Sequence, residues 1–263
     1  MMMPSMVTIL RDFVIGLMQA PAGDVESLSR LWKGVGSAGL VVLPEYSNAV
    51  PGEDGGVEAA EWLSVLSSLA RERGVHILAG VLEENGNCRY SSVVHVKPDG
   101  SWSVVHRKYM LFRALGVDES RHLCRGRNPP PVLDLGFARI GVIVCYEMRF
   151  PELVRNLALR GAEIIVVPSA WYPGPLKEDH FVTLARCRAL DNTVYVAAVN
   201  QPAPRFTGRS LLVTPWGVTR VQLGTGPEYI EVRVEGSVLR EARERLPVLR
   251  DALELADSTT RRV

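Results

Sequence analysis

Ile140-Gly141-Val142-Ile143-Val144-Cys145-Tyr146-Glu147-Met148-Arg149-Phe150-Pro151-Glu152 is the stretch whose reading decides the fold. No polar residue interrupts Ile140–Val144, and the apolar-polar alternation of a half-solvated strand is missing. A strand of that kind is covered on both faces, as in the sheets of α/β proteins. The run then turns polar, and Pro151 follows where a proline opens a helix. That helix is predicted over Pro151–Arg160, with Gly161 after its end, and another apolar strand over Ile164–Val167. Cys145 thus ends a buried strand, at the carboxyl edge where α/β sheets place their chemistry. A thiol there is either a small buried hydrophobe or a rigidly held nucleophile.

The same rhythm extends in both directions. Strands are predicted over Phe13–Met18, Leu40–Leu43, Val75–Leu82, Ala138–Val144, Val194–Val199 and Tyr229–Val234. Helices are predicted over Asp24–Val35 (Asp24 as N-cap), Val57–Arg73 (Gly74 as C-terminal cap), Glu178–Ala189 and Ser237–Arg245. Tyr90–Val96 and Ser101–Arg107 flank Pro98-Asp99-Gly100, and Ser210–Thr214 and Val218–Leu223 flank Pro215-Trp216-Gly217. Both pairs read as hairpins, with turn residues where turns need them. Arg113–Pro131 reads as a long ordered loop, a kind of segment that often carries function. No repeat or low-complexity linker divides the chain, so residues 1–263 read as one domain. A single doubly wound sheet would have fewer hairpins. Two mixed sheets face to face, with helices outside, fit better.

Composition excludes several classes. In 263 residues, 47% hydrophobic and 22% charged is a globular balance, not a disordered one. Thirty basic against 29 acidic residues leave a net charge of +1, too little to hold nucleic acid or an anionic membrane. The longest apolar runs fall far short of the ~18 residues that span a bilayer. Met1–Gln19 carries Asp12, no long apolar region and no small-residue cleavage site, so no signal peptide is expected. Cys88, Cys124, Cys145 and Cys187 form no CxxC pair. They read as free thiols of a reduced, cytoplasmic protein, without a metal site.

Among the polar residues, Gly34-Val35-Gly36-Ser37-Ala38-Gly39 matches GxGxxG, but a helix precedes it and a strand follows. A dinucleotide fingerprint needs the reverse, so it reads as a flexible helix-to-strand connection. Glu45 closes Val41-Val42-Leu43-Pro44-Glu45. Burial at that rim would raise its pKa toward that of a general base; otherwise it is a solvated loop acid or a cap. Lys108 ends His106-Arg107-Lys108 in a chain with only four lysines, Lys33, Lys97, Lys108 and Lys177. It is either an oxyanion-stabilising point charge or a solvated hairpin end. His76, His95, His106, His122 and His180 are scattered, and no papain-type cysteine motif accompanies them. His106 reads as a hairpin residue and His180 as a packing or pocket-wall residue. An acid, a cation and a thiol at three strand ends are the parts for nucleophilic acyl transfer. Spacing alone does not make them converge.

The chain resembles the nitrilase superfamily of carbon–nitrogen hydrolases over essentially its full length. The residues that carry the resemblance are Val41–Glu45, His106–Lys108, Val144–Glu152, Val167-Pro168-Ser169-Ala170-Trp171, Ala185–Ala189 with Asn192, Gly208-Arg209-Ser210 and Pro215-Trp216-Gly217. It implies a four-layer α-β-β-α sandwich. It also implies a Glu–Lys–Cys triad at Glu45, Lys108 and Cys145, and a second acid at Glu119, with Asp118 as rival. Tyr146 would add a backbone donor to the oxyanion site. Trp171 and Tyr172 are pocket walls or core packing, and Arg149 is expected to pair with Glu147. The sequence departs from the common family pattern at Glu147 (Asp in many members), Phe181 (Trp) and Cys187 (Ala). The implied activity is hydrolysis of a small amide to an acid and ammonia through a Cys145 thioester, without cofactor or metal. A nitrilase, an N-carbamoyl-amine hydrolase and a catalytically silent binding member are the alternatives. The resemblance further implies a homodimer or larger homo-oligomer. The apolar Leu246-Pro247-Val248-Leu249, in a tail of about 246–263 beyond the last expected helix, would cross to a partner subunit.

Overall fold

Side chains alternate between two cores, and that alternation builds the layers. Along β1 (Phe13–Gln19), Ile15 and Leu17 enter one core while Val14 and Met18 face the other. In the computed structural model, residues 10–53 and 56–260 are described. The expectations for Met1–Ile9 and for 261–263 therefore lie outside the described residues.

The first half continues with α1 (Val25–Trp32), β2 (Leu40–Val42), α2 (Ala59–Arg73), β3 (His76–Asn85), β4 (Cys88–Val96) and β5 (Trp102–Arg107). A small hairpin of β6 (Arg113–Ala114) and β7 (Val117–Asp118) leads into a 3-10 turn at Glu119–Arg121. The second half runs through β8 (Val132–Asp134), β9 (Arg139–Val142), a 3-10 turn at Cys145–Arg149, α3 (Pro151–Leu159), β10 (Ile164–Ser169), α4 (Lys177–Asn192), β11 (Tyr195–Asn200), β12 (Leu211–Val213) and β13 (Thr219–Gln222). Then β14 (Glu228–Val234) returns to the first sheet, followed by α5 (Gly236–Arg245) and α6 (Val248–Thr260).

The first sheet has the order β14-β1-β2-β3-β4-β5 and the second β13-β12-β11-β10-β9-β8. In each, three parallel strands continue into an antiparallel meander, and an antiparallel strand closes the other edge. The chain has no sequence repeat, yet its two sheets repeat one topology. Leu28 and Trp32 of α1 and Trp62, Leu66 and Ala70 of α2 cover the outer face of the first sheet. Val154 and Leu157 of α3 and Phe181, Ala185 and Ala189 of α4 join the core that includes both inner faces. The architecture is the α-β-β-α sandwich.

Local chemistry sets the boundaries. Asp24 caps α1 by accepting from Ser27 N at 2.8 Å. Gly74 ends α2 in the left-handed region at φ 65°, and Pro151 opens α3.

Several expectations need correction. The 113–131 segment is not all loop, because β6, β7 and the 3-10 turn lie within it. Val132–Asp134 was not expected to be a strand: it is three residues long and follows three prolines, but it pairs with β9. The 246–249 stretch is not a bare tail, since α6 starts at Val248 and Leu249 is buried against its own core. The GxGxxG segment is anchored rather than flexible. Glu231 of β14 accepts from Gly36 N at 2.7 Å and Ala38 N at 3.2 Å, and from Ser37 N and Oγ. Finally, Cys88 and Cys124 are not free thiols but a disulfide. They are 36 residues apart in sequence, and Cys124 N donates to Arg89 O at 2.8 Å where the loop crosses the start of β4.

Candidate active site

Backbone accommodations at four residues bring the singled-out residues together. After β2, the chain passes over β3 at Gly80, where a Cβ would lie 2.4 Å from Glu45 Cα. At Gly126 a Cβ would lie 2.0 Å from Arg107 O, so only glycine lets the 119–127 loop close over Lys108. Cys145 itself takes φ 43° and Tyr46 φ 58°. Left-handed backbone at non-glycine residues clusters where structure serves a site. A glycine inside the strand pattern Val75–Leu82 was the one sequence signal for the first of these, a mark of close backbone approach.

Lys108 and Glu45 are each only 1% exposed. Lys108 Nζ donates to Glu45 Oε1 and to Glu119 Oε1, both at 2.8 Å. Glu45 Oε1 also accepts from Ser91 Oγ at 2.7 Å, and its Oε2 from Ala170 N at 3.1 Å. Glu119 is fixed in turn by Tyr46 OH at 3.1 Å and Phe112 N at 2.7 Å. Asp118, the rival acid, turns away and accepts from Ser120 N and Oγ. Gln201, beyond β11, donates to Glu45 O at 3.0 Å and Tyr46 O at 3.1 Å. Gln19 accepts from Ser210 Oγ at 2.7 Å. Two of the three glutamines in the chain thus tie one sheet to the other.

Charge and burial set the proton positions. Burial pushes the Glu45 carboxyl above its ordinary value; Lys108 opposes the rise and Glu119 adds to it. Burial disfavours the Lys108 ammonium, but Glu119 and Glu45 outweigh it and hold its pKa well above the usual lysine value. Burial also drives the Cys145 thiol pKa far up, with Glu45 adding, while Lys108 and the Ala170 N–H draw it down. Burial thus favours the neutral thiol at Cys145 and makes the Glu45 carboxyl a stronger base than an exposed one.

A pocket opens at Cys145, lined by Phe112, Glu119, Tyr146, Arg149, Ala170, Trp171, Tyr172 and Lys177. No histidine lines it. All three aromatic candidates reach it. Tyr146 packs edge-on against Phe112 and Phe150, Trp171 against Phe181, and Tyr172 against Phe206. Trp171 and Tyr172 are thus both wall and packing. The expected Arg149–Glu147 pair does not form. Arg149 lies over the Trp171 ring, 4.9 Å from its centroid, and reaches His180, while Glu147 is buried against His106. Lys177 stands in no sequence motif. Its ammonium, 4.7 Å from the Trp171 centroid and 5.2 Å from that of Phe112, has no carboxylate partner among the described residues. The lysine scarcity that drew attention to Lys108 applied to it equally. No cluster of three or more His, Cys, Asp or Glu is placed to hold a metal among the described residues. Nor is any of their helices long and apolar enough to cross a membrane.

The profile of the family described as Carbon-nitrogen hydrolase matches residues 22–244. The chain belongs to the carbon–nitrogen hydrolases. The deaminated glutathione amidase of Escherichia coli O157:H7 is 34% identical over 227 residues, covering 80% of this chain and 83% of its own. The omega-amidase NIT2-B of Xenopus laevis is 32% identical over 225 residues, covering 81% and 77%. Nit3 of Saccharomyces cerevisiae, a nitrilase-superfamily structure, superposes with a TM-score of 0.75 at 27% identity, over 93% of this chain and 98% of that one. A cysteine-to-alanine mutant of the amidase from Nesterenkonia sp. AN1, in complex with butyramide, gives 0.72 at 26% identity, over 89% and 95%. Among the departures from the common pattern of the carbon–nitrogen hydrolases, Phe181 packs on Trp171 and Cys187 is an exposed free thiol.

Proposed function

We propose that this carbon–nitrogen hydrolase cleaves small linear amides to a carboxylic acid and ammonia through a thioester on Cys145. The observation behind it is the buried Lys108 ammonium, clasped between Glu45 and Glu119 beside the pocket that holds the Cys145 thiol. Glu45 takes the thiol proton as the sulfur attacks the amide carbon. Lys108 and the Tyr146 N–H stabilise the oxyanion, at no cost in reorganisation because both are already fixed. Collapse breaks the C–N bond while Glu45 returns the proton to the departing nitrogen, and ammonia leaves. Glu45 then deprotonates a water that attacks the thioester, and the thiol is regenerated with release of the acid. Glu119 holds Lys108 in place.

Amidase and omega-amidase relatives support the amide class. The two pocket cations, Lys177 and Arg149, favour an acyl part that ends in a carboxylate, since the ammonium of the buried Lys177 residue lowers its energy beside an anion. The test is ammonia release from short primary amides with and without a distal carboxylate, and from matched nitriles and N-carbamoyl amines at one pH. Nitriles should give at least ~100-fold lower kcat/KM, a gap of ~2.7 kcal/mol. A nitrile or carbamoyl preference would move the enzyme to one of those classes, and no turnover anywhere would leave a binding protein.

The reading includes a homo-oligomer with the C-terminal segment at its interface, which light scattering of a 29.0 kDa monomer would contradict. A cytoplasmic location also belongs to it. The Cys88–Cys124 disulfide removes the support that four free thiols gave, so cell fractionation decides that point.

A further inference from the structure

Cys145 follows a strand of the second sheet and Lys108 a strand of the first, so something must fix one against the other. We propose that Glu147 is the positioning residue that does so, its single carboxylate fastening the turn that carries Cys145 to the segment that carries Lys108. The inference rests on the amide-hydrolysis reading above.

Four donors converge on this carboxylate, which is 0% exposed. Oε2 accepts from Val144 N, the residue before Cys145, at 2.7 Å, and from His106 Nε2 at 2.9 Å. Oε1 accepts from Tyr109 N at 2.6 Å and Met110 N at 3.2 Å. The donors therefore bracket Lys108 in sequence and abut Cys145. The backbone of Lys108 is otherwise held by Ser91 O and Gly126 N, neither in the second sheet. Glu45 has its own cross-sheet contacts at Ala170 N and Gln201, so each half of the acid–lysine pair is referenced separately to the nucleophile's sheet. An ionised carboxylate accepts at about four sites and donates at none, which is what this junction demands. A glutamine there would turn its NH2 toward at least one buried N–H and leave a donor without an acceptor. The resulting shift is amplified in the chemistry, because a misplacement of about 1 Å in a reacting constellation costs on the order of 100-fold in rate.

The test measures kcat and KM on a small primary amide, and the rate at which iodoacetamide alkylates Cys145. Wild type, Glu147→Gln, Glu147→Asp and His106→Ala are compared, with near-UV circular dichroism to check packing. Glu147→Gln should lower kcat ~100-fold and alkylation at least ~10-fold, with KM moving less than ~3-fold. Glu147→Asp keeps the charge and the acceptor sites and should recover at least ~10-fold of that kcat. His106→Ala, which removes one donor of four, should lower kcat roughly 3- to 10-fold. A folded Glu147→Gln within about threefold of wild type in both readouts overturns the proposal. So does an equal loss in the Asp and Gln variants, the signature of a merely structural carboxylate. If Glu147→Gln does not fold, a His106→Ala equal to wild type in both readouts overturns it as well. A wild type that alkylates at Cys145 but releases ammonia from no amide sinks the amide reading alone, and the alkylation comparison still decides the role of Glu147.

Discussion

The two sheets share one topology but bring different chemistry to the seam between them. The first ends its strands in charge: Glu45 after β2, Lys108 after β5, and Glu119 in the loop beyond. The second ends its strands in a thiol and neutral donors: Cys145 after β9, Ala170 N after β10 and the Gln201 amide after β11. The fold therefore separates the groups proposed to handle protons from the proposed nucleophile, and joins them through a few hydrogen bonds across the seam. Burying three ionisable side chains together is costly unless each is paired. Grouping them at one end of the first sheet and its following loop lets Ser91, Tyr46 and Phe112 pair them locally. The second sheet holds the sulfur and, through Ala170 N and Gln201, the position of Glu45.

Removing the cation should disrupt the charged side most. Lys108→Met leaves Glu45 and Glu119 facing each other without a counter-charge. It should lower kcat/KM by at least ~10⁴-fold, with the protein folded by circular dichroism. A loss under about tenfold would mean the charged side does not serve the thiol.

The loop that carries Glu119 is tied to β4 by the disulfide. Cys124→Ser should destabilise the fold by roughly 3–4 kcal/mol, the loop-entropy figure for a closed segment of this length. Reductant should bring the wild-type unfolding curve to that of the variant; a curve indifferent to reductant would mean the bond does not form in solution.

Glu119→Gln sharpens the comparison by pH. Glu45 accepts a proton only when ionised, and burial first, with the charge of Glu119 adding, holds its pKa above the ordinary value. Removing that charge lets Glu45 ionise at lower pH, so the acidic limb of kcat/KM should move down. The maximum should fall ~100-fold as Lys108 loses one of its two holders. A limb that stays or moves up would assign the acidic ionisation to another group.

The smallest expected effect lies at the far edge of the first sheet, away from the seam. Burial disfavours the Glu231 charge, but the Gly36 and Ser37 N–H groups and the Ser37 and Tyr229 hydroxyls outweigh it and bring its pKa to about 2. The folded pKa is depressed, so the stabilisation is present above the ordinary carboxylate value and lost as pH falls toward about 2. Glu231→Gln should cost on the order of 1–2 kcal/mol at pH 7, after allowance for solvent screening, and nothing near pH 2. Activity should be unaffected; a variant as stable as wild type at pH 7 would remove the loop anchor.

The sequence made the layers legible because unbroken apolar strands such as Ile140–Val144 cannot face water, and hairpin turns carry their own chemistry. It made Glu45, Lys108 and Cys145 noticeable as oddities at strand ends. The partnerships stayed hidden because they cross the seam. Glu147 looks like a partner for Arg149 two residues on, yet it bonds His106, 41 residues away. Cys88 and Cys124 looked free because no local pattern links them. No sequence pattern marks Lys177, because only packing puts its ammonium near the rings of Phe112 and Trp171.

The most direct measurement is intact-protein mass spectrometry during turnover of a slow amide. A mass increase equal to the acyl group should appear on Cys145, decay with the rate of acid release, and be missing in Cys145→Ala, which should fold normally. An adduct on the exposed Cys187, or ammonia release by Cys145→Ala, would contradict the account.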